Sequence, residues 1–178
     1  MIMTLQAQQP APYFSITDVF GTSISLSQFK GKKVYLVFMR FAGCPVCNLR
    51  VHNLLKQAAT FKQKKIEVVL IYESSVENML IYLNDETYPF TFVADPKNIL
   101  YDAYGIEKSF GKLLLSLFKG MLAKVKKGEK LFKKKPELDG KVTRMEAEFL
   151  IDKNGKLIIA YYASFLGDNV AIEKILNT

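Results

Sequence analysis

The sequence contains little cysteine and histidine, and it has no long apolar run. Its 178 residues include two cysteines, one histidine and no tryptophan. Two cysteines three positions apart cannot link distant parts of a fold, so a framework of structural disulfides is excluded. No window approaches the run of about 20 apolar residues that a membrane-spanning helix needs. The start of the chain lacks a basic stretch followed by an apolar one, so we predict no signal peptide and expect a cytoplasmic protein.

The scarcity of cysteine and histidine also limits metal binding. A structural zinc site needs four ligands, and the chain offers a single histidine, His52, beside the pair Cys44 and Cys47. We therefore predict no metal and no cofactor. His52 lies about two helical turns beyond Cys44, so we expect it on a helix surface rather than in the role of a general base.

Apolar residues and localised positive charge are what the sequence does have. Apolar side chains make up 49% of the chain, which is enough for one core, and we predict a single domain over residues 1–178. The net charge is +8, but residues 108–144 hold 12 Lys/Arg against 3 Asp/Glu, while the remainder holds 13 against 14. Because the basic character belongs to one segment, we expect no nucleic-acid partner.

Local patterns predict strands that alternate with helices. The predicted elements are a hairpin within 13–26, a strand at 33–41, a helix from 45 to about 63, a strand at 66–72, a helix in SVENMLIYL, a strand at 90–95, a short helix in NILYDAYGI, a hairpin at 146–162 and a helix in DNVAIEKIL. This order predicts an α/β protein: a three-layer α/β/α sandwich with a mixed β-sheet, an N-terminal β-hairpin and a helical insertion at about 108–144.

The two cysteines lie in the motif Cys-Pro-Val-Cys, where a predicted buried strand gives way to a predicted helix. Pro45 fits the first helical position, so Cys44 would be the N-cap and Cys47 would lie in the first turn. Free backbone N–H groups and the helix dipole favour thiolate at that position. We therefore expect a redox dithiol in an electropositive, water-accessible pocket, able to close a Cys44–Cys47 disulfide. The alternative is a pair of cysteines packed as small hydrophobic residues.

Three blocks of the sequence resemble one known family. The stretch APYFSITDVFGTSISLSQFKGKKVYLVFMR is similar to the opening of alkyl hydroperoxide reductase/thiol-specific antioxidant proteins, the peroxiredoxin branch of the thioredoxin fold. The stretch VVLIYESSVENMLIYLNDETYPFTFVADPKNILYDAYGI is similar to the next block, and FLIDKNGKLI to the late hairpin. The resemblance covers most of the chain apart from residues 108–144 and implies a thioredoxin-like fold.

The resemblance also implies an activity, a reductant and two possible orders of attack. It implies a thiol-dependent oxidoreductase of antioxidant type, which reduces a peroxide or a disulfide and is restored by an external thiol donor of the thioredoxin or glutathione type. Aligned with peroxiredoxins, Cys47 is the attacking residue; aligned with thioredoxins, Cys44 attacks and Cys47 resolves. A C-P-x-C core with a basic residue shortly upstream is closest to a divergent peroxiredoxin-like subgroup.

Three arginines are candidates for a cation beside the sulfurs. Arg40 closes the strand before the motif, where a fixed cation would lower a thiolate pKa and could hold a peroxide oxygen; alternatively, it reaches solvent from the strand end. Arg144 lies near the place where peroxiredoxins carry their catalytic arginine, offset by two positions. Arg50 follows Cys47 by one helical turn and could equally be solvated. We predict Arg40, with the two cysteines, as the catalytic set.

The basic segment at 108–144 is predicted to be a helix followed by a lysine-rich loop. One broad face of the helix is apolar: Leu113, Leu114, Leu117, Phe118, Met121, Leu122 and Val125. We favour packing of this face against the sandwich, so a membrane surface is the less favoured partner. The alternative function is a non-catalytic thioredoxin-fold module that docks on a partner or a membrane through this basic amphipathic helix.

Overall fold

The computed structural model describes residues 4–83, 88–131 and 137–178. Its strands are β1 (Ser15–Thr17), β2 (Ser23–Ser25), β3 (Lys33–Phe38), β4 (Ile66–Tyr72), β5 (Thr91–Ala94), β6 (Ala147–Ile151) and β7 (Leu157–Tyr162). Its helices are α1 (Pro45–Leu55), α2 (Ala58–Gln63), α3 (Val76–Tyr82), α4 (Ile99–Ala103), α5 (Phe110–Phe118), α6 (Met121–Glu129) and α7 (Ile172–Leu176), with one 3-10 turn at Leu26–Phe29.

Five strands form a mixed sheet in the order β5-β4-β3-β6-β7. β3 runs parallel to β4, and β4 runs parallel to β5, whereas β6 is antiparallel to both β3 and β7. Parallel neighbours need a crossover connection; α1 and α2 supply it between β3 and β4, and α3 supplies it between β4 and β5. β3 is central and buried along nearly its whole length, as its continuous apolar run predicts.

Successive side chains of β3 point to opposite faces of the sheet and enter separate apolar clusters. Tyr35 and Val37 join residues of α1, α2, α3 and α7 on one face. Leu36 and Phe38 join residues of the β1–β2 hairpin region and α4 on the other face. The predicted three-layer arrangement with a mixed sheet and an N-terminal hairpin is therefore confirmed, and the hairpin contributes to one outer layer together with α4.

The long helix predicted after the cysteine motif is interrupted in the structure. α1 ends at Leu55, and Gln57 departs from helical geometry with φ −106° and ψ 10° before α2 begins. The late hairpin is confirmed, because β6 and β7 pair on either side of the Asp-Lys-Asn-Gly turn. Gly155 in that turn has φ +84°, a conformation that glycine adopts without the steric cost of a β-carbon.

The single helix predicted within residues 108–144 is wrong. Gly120 adopts φ +77° and separates α5 from α6, because the left-handed conformation cannot continue a right-handed helix. The predicted lysine-rich loop falls partly on residues 132–136, which lie outside the described residues. Within the described ranges, no helix is both long and apolar enough to cross a membrane.

The prediction that the apolar face of this segment packs on the sandwich is also largely wrong. Leu113, Met121 and Val125 are half-buried, whereas Leu114, Leu117, Phe118 and Leu122 are exposed. The cause lies in the orientation of α5, which turns Ser116 inward; the Ser116 hydroxyl accepts a hydrogen bond from the Leu166 N–H at 2.7 Å and donates one to the Lys112 carbonyl.

Candidate active site

The cysteine motif lies at the junction of the central strand and its crossover helix. β3 ends at Phe38, and α1 begins at Pro45 in the first helical position. Cys44 is the N-cap, as predicted, and its sulfur accepts a hydrogen bond from the Cys47 N–H at 3.4 Å. One sulfur of the pair therefore occupies the place where a helix N-terminus stabilises negative charge.

Arg40 lies directly beside Cys44. Its Nη1 donates to the Cys44 sulfur at 3.6 Å, its Nη2 donates to the Val142 carbonyl, and its guanidinium lies 5.1 Å from the centre of the Phe41 ring. The side chain is buried, so the alternative in which it reaches solvent is wrong. The N–H on Nε of the guanidinium is buried and has no acceptor among the described residues.

These contacts change the acidity of Cys44. Burial alone would raise its pKa, because a thiolate loses hydration in the interior. The hydrogen bond from the Cys47 thiol and the positive charge of Arg40 outweigh burial, so the pKa of Cys44 lies below its ordinary value. Cys44 is thus the more readily ionised sulfur of the pair.

Cys47 has the opposite environment. Burial raises its pKa well above the ordinary value, and a hydrogen bond with Cys44 and the negative charges of Cys44 and Glu146 raise it further. Its sulfur lies 3.6 Å from Oε1 of Glu146. Cys47 is therefore held as a thiol between two acceptors, the Cys44 sulfur and the Glu146 carboxylate.

Glu146 is a buried carboxylate immediately before β6. Burial raises its pKa, although the Gly167 N–H, which donates to its Oε2 at 2.5 Å, and the charge of Arg40 partly oppose the shift. A buried carboxyl with a raised pKa is a suitable proton acceptor for a neighbouring thiol. The part of the chain that the structure describes has no group of three or more His, Cys, Asp or Glu side chains that could hold a metal ion.

Both cysteines are completely buried, which contradicts the expected water-accessible pocket. The reason is close packing by the 108–144 segment. A β-carbon on Gly43 would lie 2.4 Å from the Glu137 carbonyl oxygen, and a β-carbon on Gly128 of α6 would lie 1.9 Å from the Pro45 carbonyl oxygen. The segment therefore lies against the backbone on either side of Cys44 and closes the site.

A groove of about 220 Å³ lies beside this closed site. Its lining includes Ala42 and Asn48 from the motif region and Tyr72, Tyr82 and His52 from neighbouring elements. Burial raises the pKa of Tyr72, and negative charge on the two sulfurs raises it further. His52 is half-buried on the groove wall.

Arg50 is not directed at the sulfurs and is not solvated. It is buried and forms a two-pronged ion pair with Glu148, with Nε 2.8 Å from Oε1 and Nη2 3.0 Å from Oε2. Its Nη2 also donates to the Tyr35 hydroxyl at 2.7 Å and to the Val170 carbonyl at 2.9 Å. This network joins α1 to the sheet and to the segment before α7, and it therefore fixes the position of α1, which carries Cys47.

Arg144 is likewise engaged away from the sulfurs. Its Nε donates to Oε1 of Glu73 at 2.7 Å, its Nη1 donates to the Ile106 carbonyl at 2.6 Å, and its Nη2 donates to Asn98. The guanidinium lies 4.5 Å from the centre of the Tyr101 ring. Of the three arginines, Arg40 is the one whose guanidinium donates to a cysteine sulfur among the described residues.

Sequence reasoning missed Glu146 and Glu148. Both are buried, and their side chains lie on the same side of the β6 region because they are two positions apart. The signal was available: two acids alternate with apolar residues in EAEFLI, a predicted core strand in which buried carboxylates are rare unless they are paired.

Comparison with known proteins identifies a thiol-dependent oxidoreductase of the thioredoxin fold. The chain belongs to the AhpC/TSA family, whose model matches residues 7–160. It is 32% identical to a protein named as a peroxiredoxin, bcp, from Buchnera aphidicola over 119 residues, which cover 65% of this chain and 75% of the relative. It is 28% identical to peroxiredoxin Bcp of Escherichia coli over 108 residues, 60% of this chain and 69% of that protein. The crystal structure of peroxidoxin BcpB from Mycobacterium tuberculosis shares the fold, with a TM-score of 0.70, 16% identity and coverage of 97% of this chain and 95% of that one.

Proposed function

We propose that the protein is a thiol peroxidase in which Cys44 attacks a hydroperoxide and Cys47 resolves the product. The observation that carries the proposal is the asymmetry of the pair: Arg40 and the Cys47 N–H both donate to the Cys44 sulfur, while Cys47 faces the Glu146 carboxylate. The first arrangement favours a thiolate and the second a thiol. This asymmetry supports the order of attack implied by the thioredoxin alignment.

The chemistry runs in two steps. The Cys44 thiolate attacks one peroxide oxygen and the O–O bond breaks; with one proton taken up, the products are a sulfenic acid on Cys44 and an alcohol or water. The Cys47 sulfur then attacks the Cys44 sulfur, the S–O bond breaks and water leaves, which forms the Cys44–Cys47 disulfide. The peroxide gains the two electrons that the dithiol loses.

Two neighbouring groups have defined roles in these steps. The buried Nε of Arg40, which has no acceptor among the described residues, is suited to donate a hydrogen bond to a peroxide or sulfenate oxygen while Nη1 remains on the sulfur. Glu146 is placed to accept the Cys47 proton as that sulfur becomes the nucleophile of the second step.

Burial of both sulfurs favours a small hydroperoxide over a protein disulfide as the oxidant. A small molecule needs only a brief local opening beside the groove near Tyr72, whereas a protein disulfide must bring its own backbone against the sulfur. The disulfide is returned to the dithiol by an external thiol donor of the thioredoxin or glutathione type, and two electrons pass from the donor to the protein.

Single cysteine variants test the order of attack. Cys47→Ser should still consume one equivalent of hydrogen peroxide and carry a sulfenic acid on Cys44, trapped by dimedone and located by mass spectrometry. Cys44→Ser should consume peroxide no faster than an ordinary free thiol does. The wild type should lose two protons in the Cys44–Cys47 peptide after mild oxidation.

Two other results with these variants would contradict the proposal. Rapid peroxide consumption by Cys44→Ser, with a sulfenic acid on Cys47, would reverse the assignment. Faster reduction of insulin disulfides than of peroxide would replace the peroxidase with a disulfide reductase. The double variant Cys44→Ser/Cys47→Ser is the baseline for both assays.

A further inference from the structure

Helix α5 is oriented opposite to a normal surface helix. The residue that it buries is a serine, Ser116, whereas Phe110 is 72% exposed and Phe118 is 82% exposed. A surface helix usually turns its apolar face toward the core and its polar face toward water. α5 therefore leaves uncovered the side that would normally be buried.

The apolar surface extends past the break at Gly120, because Met121 of α6 lines one groove together with residues of α5. We name this surface the docking face; its members are exposed, large and apolar: Phe110, Leu114, Leu117, Phe118 and Leu122. Part of it forms a groove of about 260 Å³ whose lining is entirely apolar: Phe110, Leu113, Leu114, Leu117 and Met121. Contiguous apolar surface of this kind marks an interaction site in a folded protein.

Positive charge adjoins the docking face. Lys119 follows Phe118, and Lys126 lies one helical turn beyond Leu122, with Lys127 next to it. These lysines are exposed, and the ion pairs of the described residues involve other side chains. The segment 108–144 contains 12 Lys/Arg and 3 Asp/Glu, so the apolar face lies within the most basic part of the chain.

We propose that the docking face binds the surface of an anionic lipid bilayer. α5 and α6 would lie in the headgroup region with the apolar side chains among the acyl chains, while the lysines contact lipid phosphates. This inference does not depend on the dithiol chemistry, because it uses only exposed side chains of residues 110–127, whereas Cys44 and Cys47 are completely buried.

Charge and apolarity together select this partner. A second copy of the chain would bring two lysine-rich segments together, and like charges repel across an interface. A nucleic acid would be attracted by the lysines, but it offers nothing to cover five exposed apolar side chains. An anionic bilayer supplies both a negative surface and an apolar interior.

Sedimentation with vesicles tests the proposal on the full chain. The wild type should bind vesicles of phosphatidylcholine and phosphatidylglycerol, bind vesicles of phosphatidylcholine alone much less, and bind more weakly as salt rises. Phe118→Ser and Leu122→Ser should each weaken binding about tenfold. The triple variant Lys119→Glu/Lys126→Glu/Lys127→Glu should weaken it at least about 100-fold.

Matched variants on other surfaces serve as controls. Phe20→Ser removes an exposed aromatic side chain from the β1–β2 turn, and Lys62→Glu/Lys64→Glu/Lys153→Glu reverses three exposed lysines elsewhere. Both controls should bind vesicles like the wild type, apart from the general effect of net charge. Circular dichroism should show that all variants keep the native fold, and peroxide consumption in solution should be unchanged in the Phe118 and Leu122 variants.

Three results would overturn the proposal. The first is no difference in binding between anionic and neutral vesicles. The second is equal loss of binding in the control and docking-face variants. The third is no vesicle binding together with self-association, measured by sedimentation velocity, that Phe118→Ser abolishes; that result would assign the face to a second copy of the chain.

Discussion

Replacing Arg40 by methionine should remove one of the two main interactions that stabilise the Cys44 thiolate, the other being the hydrogen bond from Cys47. Arg40 Nη1 lies 3.6 Å from the Cys44 sulfur, and two unit charges at that distance interact by about 4–5 kcal/mol at an effective dielectric constant of 20. The nearby Glu146 carboxylate offsets part of this energy. Because about 1.4 kcal/mol corresponds to a tenfold change, we expect at least about a tenfold lower thiolate fraction at neutral pH in Arg40→Met.

The pH profile of alkylation separates this effect from simple changes in access. In Cys47→Ser, which leaves one reactive sulfur, the rate of iodoacetamide reaction against pH should have its midpoint at higher pH when Arg40→Met is added. Looser packing would raise the whole curve without moving its midpoint. Lys56→Met, which removes an exposed cation at the end of α1, is the control. A midpoint that stays in place or moves to lower pH would refute the reasoning.

Three further predictions concern the surroundings of the site. Arg50→Met should lower the free energy of unfolding by about 3–5 kcal/mol in urea denaturation, because it leaves the Glu148 carboxylate buried without its partner, and adding Glu148→Leu should recover much of the loss. Glu146→Gln should become more stable relative to the wild type as pH rises from about 4.5, since a carboxyl whose pKa is raised in the folded state loses its contribution as it ionises; parallel denaturation curves with pH would contradict this. Gly128→Ala should push α6 away from Pro45 and lower the free energy of unfolding by about 1–3 kcal/mol. It should also speed alkylation of the native dithiol, and an unchanged alkylation rate would mean that α6 does not limit access to the sulfurs.

The sheet and the position of the motif could be predicted because they depend on local signals. The apolar runs at 33–41 and 66–72, rich in β-branched and aromatic residues, are typical of buried strands of a central sheet, and Pro45 marks the start of α1. Cys44 was therefore placed correctly as the N-cap, at the point where backbone N–H groups gather.

The closed state of the site could not be predicted because it depends on contacts that are distant in sequence. Gly43 contacts Glu137, and Pro45 contacts Gly128, across more than 80 positions of chain. The buried orientation of Arg40 likewise depends on the Val142 carbonyl. No local pattern shows which side of a short helix will face inward, so the outward apolar face of α5 was also missed.

The close approach of the Cys47 thiol to Cys44 bears on how long the enzyme survives at high oxidant concentration. A sulfenic acid formed on Cys44 has a resolving partner beside it already, in a compartment that excludes solvent. Over-oxidation to sulfinic acid needs a second peroxide molecule to arrive before that partner reacts. We therefore expect resistance to inactivation by excess peroxide, and loss of that resistance once Cys47 is removed.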